Sequence, residues 1–520
     1  MTRRQRWSLR FTGILALVAL TSCEVLTLRR QLLTPEQLGQ VPRNSPYLKA
    51  HMKSGDVIVL SEWKFDSVAR SISGTGTRLD RNRTAGPATT HQVHLDSVAL
   101  FESNVIHKHG SVAALTVVTI GSAILTVACL SDPKACFGSC PTFYAADSSG
   151  RGTRLQAEGF SASVAPALEA TDVDALYRVR PRGSRFDVRM TNEAQETHVV
   201  RWVKLLAAER PPVEGGRVFA TQRGEFWQAP SVVSPSRCAA AEGDCLAAVR
   251  ALDDVERFSV ADSTDLAARE VIELEFPPLA GDTLGLVIGS RQTLLSTFVL
   301  YQTLAYMGRN ASAFLAALGG GGDRVRERAT GPGRVLGGIE VQAQDAQGKW
   351  KLLGETQETG PLATDVRVVV LKNLPHGARH IRLRLTKGHW RIDYLSLAPL
   401  TQRVRPIVMD PARVMRGQVE DAAALEQLRD SSRTLVTFPG DEYTLQYALP
   451  DGPEKYELFL ESRGYYLEWM RKEWLAEENL PRAAAMFRDP ARALRELAPA
   501  FKKQEAKMEE AFWNSRYVRH

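Results

Sequence analysis

The sequence predicts an α+β protein that is rich in β-strand. Three observations favour this class: short runs of alternating apolar and polar residues recur along the chain, a glycine-rich stretch interrupts them, and the C-terminal part turns to Glu, Lys, Arg, Ala and Leu at helical spacing. The 520 residues are enough for several domains, and 44% hydrophobic with 24% charged residues excludes global disorder. We therefore expect a small β module at residues 46–110, a central mixed domain at 132–318, a β-sandwich at 339–400 and a mixed region with a helical tail at 401–520.

The N-terminus has the layout of an export signal. Residues 1–10 are basic, residues 11–20 are apolar, and Leu20-Thr21-Ser22-Cys23 follows. As a helix the apolar run would reach about 15 Å, which is half of what a bilayer requires. The last four residues resemble the lipobox of bacterial lipoproteins, in which the cysteine is lipidated and the chain is cut just before it. The resemblance implies a signal peptide over residues 1–22 and a membrane anchor on Cys23.

Export would place the protein in the bacterial cell envelope. Glu24 stands where an aspartate retains such lipoproteins at the inner membrane, so the resemblance implies the outer membrane, facing the periplasm or the surface. An ordinary secretory signal that ends in a cysteine is the alternative. Without the four arginines of the signal, Lys+Arg falls from 66 to 62 against 59 Asp+Glu. The remaining excess of three positive charges does not favour nucleic-acid binding.

Residues 23–45 are predicted to be a polar tether that leads into the β module. Within the module, residues 56–65 alternate as a strand, and residues 91–101 form a second β region. Gly74 and Gly76 between them predict a hairpin turn. A dinucleotide-binding loop is not favoured, because no third glycine and no acidic partner follow at the required spacing.

A hydrophobic segment, residues 111–131, separates the β module from the central domain. Its residues 112–130 carry no charged side chain, and this length permits a transmembrane helix. Three Thr, one Ser, one Gly and many β-branched residues also suit a buried helix or paired strands. Both interpretations stay open, and a true span would place the rest of the chain on the other side of the membrane.

The central domain begins with four short motifs. They are Cys-Pro-x-x-Tyr, Glu-Gly, Leu-Glu-x-x-Asp and Asn-Glu-x-x-Glu, which begin at Cys140, Glu158, Leu168 and Asn192. This ordered set resembles a group of uncharacterised bacterial envelope proteins over about residues 136–210, and the resemblance implies no particular activity. Alternation over residues 186–190 and 198–206 predicts two strands of an antiparallel sheet.

A helix and a linker are expected before the sandwich. Residues 290–307 are largely apolar, and Leu294, Phe298 and Tyr301 recur at helical spacing, which predicts a core helix of about five turns. Four consecutive glycines open a Gly- and Arg-rich stretch, so residues 319–338 are predicted to be a linker.

Five alternating runs between residues 338 and 395 predict the β-sandwich. They include Ile-x-Val-x-Ala, a Gly-Lys-Trp turn, Arg-Leu-Arg-Leu and a closing Trp-Arg-Ile-Asp-Tyr. This pattern is similar to galactose-binding-like jelly-roll domains over about residues 335–400, and the similarity implies a sandwich fold without a diagnostic ligand motif. Residues 465–478 and 490–513 are predicted to be the helices of the tail.

Five cysteines are left once Cys23 is assigned to the anchor. In an oxidising compartment we expect disulfides, and the sequence offers two loops that could close. Cys238 and Cys245 enclose a short polar loop, and Cys136 and Cys140 enclose a turn that contains a glycine. A thiolate metal or redox site is the alternative, but it lacks a Cys-x-x-Cys pair and neighbouring histidines.

Four of the ten histidines lie within nineteen residues and are candidate metal ligands. His107 and His109 would share one face of a strand, which suits Zn²⁺ or Cu²⁺, whereas His91 and His94 would lie on opposite faces. Solvated histidines are the alternative, because no carboxylate cluster completes the set.

Binding of a glycan is a further candidate function. Trp350 and Trp390 could present aromatic faces to a sugar ring, with Arg391 and Asp393 as polar partners. Alternation opposes this interpretation, because it places Trp390 and Tyr394 on one face of the strand, which is the expected core.

The sequence assigns no catalytic residues. Acidic side chains occur together at Glu270, Glu273 and Glu275, and again at Glu169, Asp172 and Asp174. A sequence cannot show the carboxyl separation that general acid–base catalysis requires. Nucleophile-elbow, Walker A and His-Glu-x-x-His motifs are absent, and no cofactor is expected. We predict a lipid-anchored envelope protein with a non-enzymatic binding or assembly role and an envelope protein or glycan as its partner. An envelope hydrolase with an acidic site and a membrane-embedded component are the alternatives.

Overall fold

The computed structural model describes most of the chain between residues 26 and 508. The described residues are 26–41, 45, 47–52, 56–79, 85–108, 140–146, 153–181, 183–193, 196–320, 331–344, 347–357, 360–371, 380–438, 440–468 and 472–508. They are 47% strand and 22% helix, which confirms the predicted β-rich α+β class. Predictions that lie outside them are the signal peptide at 1–22, Cys23, the hydrophobic segment at 111–131, Cys136 and His109.

The chain forms two compact units, residues 1–120 and 121–520. No helix among the described residues is both long and apolar enough to cross a membrane.

The first unit contains one antiparallel sheet, sheet A. Its strands are β1 (Leu26–Leu33), β2 (Leu48–Met52), β3 (Val57–Asp66), β4 (Ser71–Leu79), β5 (Ala85–His94) and β6 (Val98–Lys108). The strand order is β1-β6-β2-β3-β4-β5. Leu48, Leu60 and Phe101 are fully buried in its core, because apolar residues recur at every second position of their strands. The strand predicted at residues 56–65 is present as β3.

The structure differs from two predictions for this unit. Residues 23–45 are not a tether throughout, since β1 lies within them and pairs with β6 along its length. Gly74 and Gly76 lie inside β4 and not in a turn. A Cβ atom on these two glycines would clash with the carbonyl oxygens of Glu62 and Val59 on β3. Glycine therefore allows the two strands to approach closely here.

The second unit is built around four sheets. Sheet B contains β7 (Thr142–Ala146), β8 (Thr153–Glu158), β10 (Arg185–Thr191), β26 (Arg413–Arg416), β27 (Val419–Glu420) and β29 (Glu442–Ala448). Sheet C contains β9 (Ala170–Ala175), β11 (Glu196–Glu209), β25 (Ile407–Met409), β28 (Leu435–Thr437) and β30 (Tyr456–Glu468). Sheet D contains β12 (Arg217–Ala220), β13 (Phe226–Ala229), β16 (Arg257–Phe258), β18 (Leu284–Gln292), β21 (Asp365–Leu371), β23 (Trp390–Pro399) and β24 (Arg403–Val404). Sheet E contains β14 (Arg237–Ala240), β15 (Gly243–Asp244), β17 (Arg269–Glu275), β19 (Ile339–Gln344), β20 (Trp350–Thr356) and β22 (His380–Thr386).

These sheets stack in the order B, C, D, E, with an apolar core between each pair of neighbours. Leu460 of β30 packs against sheet B, and its neighbour Phe459 packs against sheet D. Leu286 of β18 packs against sheet E, and its neighbour Val287 packs against sheet C. Successive side chains of a strand point to opposite faces, so one strand serves two cores. Sheets C and D are thus covered on both sides.

The predicted sandwich extends beyond its predicted boundaries. The five strands expected between residues 338 and 395 are present as β19 to β23. However, β21 and β23 pair with β18, and β22 pairs with β17, both of which precede the predicted linker. Strands β25 to β30, from the region 401–520, complete sheets B and C, to which the two strands predicted at 186–190 and 198–206 also belong. The four sheets therefore draw strands from the whole unit.

A β-bulge in β23 reverses the side-chain alternation. Gly289 of β18 pairs with Tyr394, and the next residue of β18 pairs with Ile392, so Asp393 is the additional residue. Trp390 consequently packs between sheets D and E, whereas Tyr394 packs between sheets C and D. The expectation that Trp390 and Tyr394 share one face is wrong, because strict alternation does not anticipate an inserted residue.

Helices fill the remaining space of the second unit. They are α1 (Leu246–Val249), α2 (Leu295–Met307), α3 (Ala311–Gly320), α4 (Gly331–Leu336), α5 (Ala422–Arg429), α6 (Lys472–Ala476), α7 (Leu480–Arg488) and α8 (Pro490–Lys502). Helices α2, α4, α7 and α8 share an apolar cluster that includes Phe298, Met486 and Phe501. This helical cluster forms one wall of the cavity described below.

Three helical predictions need correction. The core helix expected at 290–307 begins only at Leu295, because residues 290–292 belong to β18. The predicted linker at 319–338 is bordered by α3 and contains α4. The helix expected at 465–478 is strand up to Glu468, since pairing of β30 with β11 overrides the local helical preference.

Candidate ligand cavity

A cavity of about 590 Å³ lies where α2, α4 and α7 meet the ends of β8, β18 and β30. This volume falls within the usual range of small-molecule sites. Its wall is mainly apolar, and the large apolar side chains that contribute to it are Val164, Leu168, Val299, Leu300, Leu336 and Phe487. A wall of this kind favours a ligand with an apolar body.

Local hydrogen bonds fix two of the helices that contribute to this wall, α2 and α7. Asn479 caps α7, where its side chain accepts a hydrogen bond from the backbone N–H of Arg482 at 3.2 Å. Thr293 precedes α2, and its hydroxyl accepts from the N–H of Leu295 at 3.2 Å and donates to the carbonyl of Gly388 at 2.7 Å. The start of α2 is thereby joined to the loop that carries a buried histidine of the cavity.

The first polar group of the cavity consists of Tyr301, Tyr466 and Glu468. The hydroxyl of Tyr301 donates a hydrogen bond to the carboxylate of Glu468. The hydroxyl of Tyr466 donates to the carbonyl of Ser161 at 3.1 Å. Burial raises the pKa of Tyr466 well above its ordinary value, so this phenol keeps its proton at neutral pH. The group offers carboxylate oxygens and phenol hydroxyls beside the apolar wall.

The second polar group consists of Glu158, Gln292 and His389. The carboxylate of Glu158 accepts a hydrogen bond from the backbone N–H of Leu362 at 2.7 Å. The amide oxygen of Gln292 accepts from the hydroxyl of Ser296 at 3.2 Å, which turns the amide nitrogen toward His389. Since this nitrogen lies 3.3 Å from Nε2 of His389 and is a donor, Nε2 is the acceptor of the pair.

The buried imidazole of His389 is uncharged at neutral pH. Burial, together with the positive charge of Arg269, lowers the pKa of His389 to about 3. Because Nε2 accepts a hydrogen bond, the proton of the neutral ring sits on Nδ1. The side chain is 2% exposed, and Nδ1 has no hydrogen-bond partner within the described part of the chain.

The charged lining residues divide into a buried and an exposed pair. Glu158 is fully buried and Glu468 is 9% exposed. Arg334 and Glu355 are exposed and mark the open side of the cavity. Both buried charged residues of the cavity lining are therefore acids, whereas Arg334 is exposed.

Three of the four central motifs have a residue that lines this cavity, and hydrogen bonds or ion pairs fix residues in all four. The N–H of Gly159 donates to the carbonyl of Pro141 at 3.0 Å, which joins the first motif to the second. The carboxylate of Glu169, just before β9, pairs with Arg201 of β11 at 2.6 Å and with Arg463 of β30 at 2.8 Å. In the fourth motif, the side chain of Asn192 donates to the carbonyls of Glu196 and Thr437 at 3.1 Å. These contacts give Gly159, Glu169 and Asn192 a structural role, whereas Cys140, Glu158 and Leu168 line the cavity itself.

One of the two predicted disulfides involves described residues at both ends. Cys238 and Cys245 are bonded, with their Cα atoms 5.1 Å apart, and they close the hairpin between β14 and β15. Cys140 is buried and lines the cavity. Its predicted partner, Cys136, lies outside the described residues.

The predicted histidine ligands do not come together. His91 and His94 lie on β5, and His107 lies on β6, with β2, β3 and β4 between these two strands in sheet A. The ring of His91 contacts the carbonyl of Gly76 at 3.1 Å. Among the described residues, no group of three or more His, Cys, Asp or Glu side chains is arranged to hold a metal ion.

The predicted glycan-binding residues do not form a common surface. Trp390, Arg391 and Asp393 are 1%, 5% and 0% exposed, because sheet D lies between two other sheets. The guanidinium of Arg391 lies 3.4 Å from Glu256, and Asp393 pairs with Arg178 at 3.2 Å. Trp350 lies instead on β20, an edge strand of sheet E, with the guanidinium of Arg382 4.3 Å from its ring centre. The face expected to meet a sugar is thus interior to the fold.

The clustered acids of the sequence form ion pairs within the sheets. Glu270 accepts two hydrogen bonds at 2.8 Å from Arg257, and Asp172 pairs with Arg367 at 3.0 Å. Glu273 lies on β17 opposite Arg382. These carboxylates stabilise strand packing and do not line the cavity.

Only Glu158, of the six residues in the two polar groups, belongs to a motif quoted from the sequence. Tyr301 was expected only as a core residue, Glu468 fell inside a predicted helix, and His389 followed a lysine–glycine turn without any motif. Tyr301, His389 and Glu468 come from segments far apart in the chain, so no motif of fixed spacing could have grouped them. No protein-family model matches the chain, and no curated protein matches its sequence.

Proposed function

We propose that this chain is a lipid-anchored envelope protein that binds a small amphipathic molecule in the cavity between α2, α4, α7 and the strand ends. The single observation that carries the proposal is the cavity itself, a space of about 590 Å³ with an apolar wall and two buried polar groups. Such a combination supplies hydrophobic affinity and a few orienting hydrogen bonds. The lipobox-like Leu20-Thr21-Ser22-Cys23 supports the anchor.

Calorimetric titration with 1,2-octanediol tests the binding function. The full chain is placed in lipid nanodiscs, and empty nanodiscs correct for partitioning into lipid. We expect saturable binding at one site per chain. The substitution Leu300→Trp fills the cavity from α2 and should abolish it, whereas Leu352→Trp, at a position 58% exposed on β20, should leave it unchanged. Purely linear uptake by the native chain would contradict the proposal.

Metabolic labelling with a fatty acid tests the anchor. The native chain should carry the label and sediment with membranes, and Cys23→Ala should lose both properties. A labelled Cys23→Ala protein would contradict lipidation at this position. Protease access to a C-terminal tag in cells with an opened outer membrane then distinguishes a periplasmic position from a second membrane crossing at residues 112–130.

A further inference from the structure

We propose that three arginines around Glu457 form a binding site for the dianion of a phosphomonoester. Arg180 follows β9, Arg210 follows β11, Arg217 is the first residue of β12, and Glu457 lies at the start of β30. The cavity is lined by other residues, so this site is independent of the proposed cavity function. The inference follows from an excess of positive charge, from the contacts that position the guanidinium groups and from their exposure.

All three guanidinium groups meet one carboxylate. Nε of Arg217 and Nε of Arg210 donate hydrogen bonds to Glu457 at 2.7 Å and 3.1 Å. Nη1 of Arg180 lies 3.8 Å from the same carboxylate. Of the described carboxylates, only that of Glu457 forms an ion pair with these arginines. A guanidinium stays charged in proteins and Glu457 can neutralise at most one of the three, so the cluster keeps an excess of at least two positive charges.

Backbone contacts hold two of the guanidinium groups in place. Nη1 of Arg180 donates to the carbonyls of Tyr177 and Val179 at 3.1 Å and 3.0 Å. Arg217 donates to the same carbonyl of Tyr177 at 3.0 Å, and its guanidinium carbon lies 3.5 Å from the centre of the Tyr177 ring. These contacts orient the groups without adding a negative charge. Groups that are already oriented lose less conformational entropy when a ligand binds.

The charges of the cluster are not balanced from within. Partial burial and the positive charge of Arg217 lower the pKa of Arg180, and the charge of Arg210 acts in the same direction. Nη2 of Arg210 is buried and makes no hydrogen bond to the described residues, so Glu457 does not saturate this guanidinium. An anion beside Arg180 and Arg210 would offset the repulsion between the arginines.

The exposed part of the cluster is its positive part. The side chains of Arg180 and Arg210 are 38% and 16% exposed, whereas that of Glu457 is 1% exposed. A phosphomonoester carries about two negative charges at neutral pH and three acceptor oxygens. Guanidinium groups match phosphate oxygens with paired N–H donors, and a carboxylate would supply only one negative charge. The excess charge therefore favours the phosphomonoester.

Glycerol 3-phosphate and glycerate, which carries a carboxylate instead of the phosphate, test the inference. The full chain in phosphatidylcholine nanodiscs is titrated calorimetrically with each at pH 7.5 and equal, low ionic strength. We expect saturable binding of glycerol 3-phosphate, at least tenfold tighter than that of glycerate, and weaker binding as salt is added. Equal affinity for the two probes, or absence of saturable binding of glycerol 3-phosphate, would overturn the inference.

Matched variants locate the site. Arg180→Gln and Arg210→Gln each remove one partly exposed positive charge and should weaken binding of glycerol 3-phosphate by about tenfold. Arg492→Gln, on α8 with a side chain that is 71% exposed, should bind as the native chain does. Native affinity in both cluster variants would refute the site, and the comparison of the two probes on the native chain does not depend on how any variant folds.

The phosphate group can belong to a soluble ester or to a lipid headgroup, and nanodisc composition distinguishes the two sources. Nanodiscs that contain phosphatidate are compared with nanodiscs of equal charge that contain phosphatidylglycerol, a phosphodiester. If the headgroup occupies the site, phosphatidate competes and lowers the apparent affinity for glycerol 3-phosphate at least threefold. Equal affinity in both nanodiscs assigns the site to soluble phosphomonoesters.

Discussion

The guanidinium of Arg178 lies 3.2 Å from the carboxylate of Asp393, the residue inserted at the bulge of β23. Asp393 also accepts hydrogen bonds at 3.2 Å from the backbone N–H groups of Asp253 and Asp254. Nevertheless burial outweighs these contacts and raises the pKa of Asp393 to about 7. The bulge thus places an acid that titrates near neutral pH inside a stack of sheets.

The first prediction concerns the pH dependence that Asp393 imposes. Its pKa is raised in the folded chain, so between about pH 4 and 7 the folded chain holds a proton that the unfolded chain has released. Stability from this proton is present below pH 4 and is lost as the pH rises through 7. Between pH 5 and pH 8 the free energy of unfolding of the native chain should therefore fall by about 2 kcal/mol more than that of Asp393→Asn, measured by denaturant unfolding. If the free energies of unfolding of the two chains change with pH in parallel, the raised pKa of Asp393 is contradicted.

The second prediction concerns His389, whose pKa is lowered to about 3 in the folded chain. Here the unfolded chain binds the extra proton, so the stability contributed by the neutral ring is present above pH 6.5 and is lost as the pH falls toward 3. When the pH is lowered from 7 to 5, the free energy of unfolding of the native chain should fall by about 2 kcal/mol more than that of His389→Gln, measured by denaturant unfolding. His380→Gln, at a histidine whose side chain is 63% exposed, is the control and should follow the native chain.

The third prediction concerns the disulfide between Cys238 and Cys245, which closes a short loop. By restricting the unfolded chain, a disulfide across such a loop should raise the free energy of unfolding by about 2 kcal/mol. The double substitution Cys238→Ser and Cys245→Ser should lower the free energy of unfolding by this amount. A change below about 0.5 kcal/mol would show that the bond does not constrain the unfolded chain in the expected way.

The fourth prediction compares two glycines with the same backbone conformation. Gly360 and Gly348 have φ angles of +82° and +75°, so alanine is strained at either position. A Cβ atom at Gly360 would lie 2.6 Å from the carboxylate of Glu158, whereas nothing lies within 4 Å at Gly348. Gly360→Ala should therefore destabilise the chain by at least 1 kcal/mol more than Gly348→Ala.

Only Gly360→Ala should also weaken binding of 1,2-octanediol, because the added Cβ atom would displace Glu158, a residue that lines the cavity. Calorimetric titration of both variants checks this expectation. Equal affinities for the two variants would contradict a role of Glu158 in the site.

Most strands could be predicted from the sequence because alternation has a direct physical cause. In β19 and β22 every second side chain is buried against sheet D, and both strands were expected within a residue or two of their ends. Strand β30 was missed because its Glu-, Tyr- and Leu-rich sequence also suits a helix, and only its partner β11 decides the outcome.

The cavity could not be predicted because its residues meet only through tertiary packing. Glu158 belonged to a quoted motif, but Tyr301, His389 and Glu468 lie in three other segments. The bulge at Asp393 could not be predicted either, since the pattern of apolar positions does not identify an inserted residue.

The pairing of β11 with β30 sets the order in which this protein can mature. Residues 196–209 find their partner only at residues 456–468, roughly half a chain length later. Until that last part has been synthesised and has reached the same compartment, both apolar faces of sheet C lack the strand that closes them. Such long-range pairing slows folding and exposes unpaired edges for a longer time. A chain that ends prematurely before residue 456 would therefore aggregate or be degraded, however complete its earlier strands are.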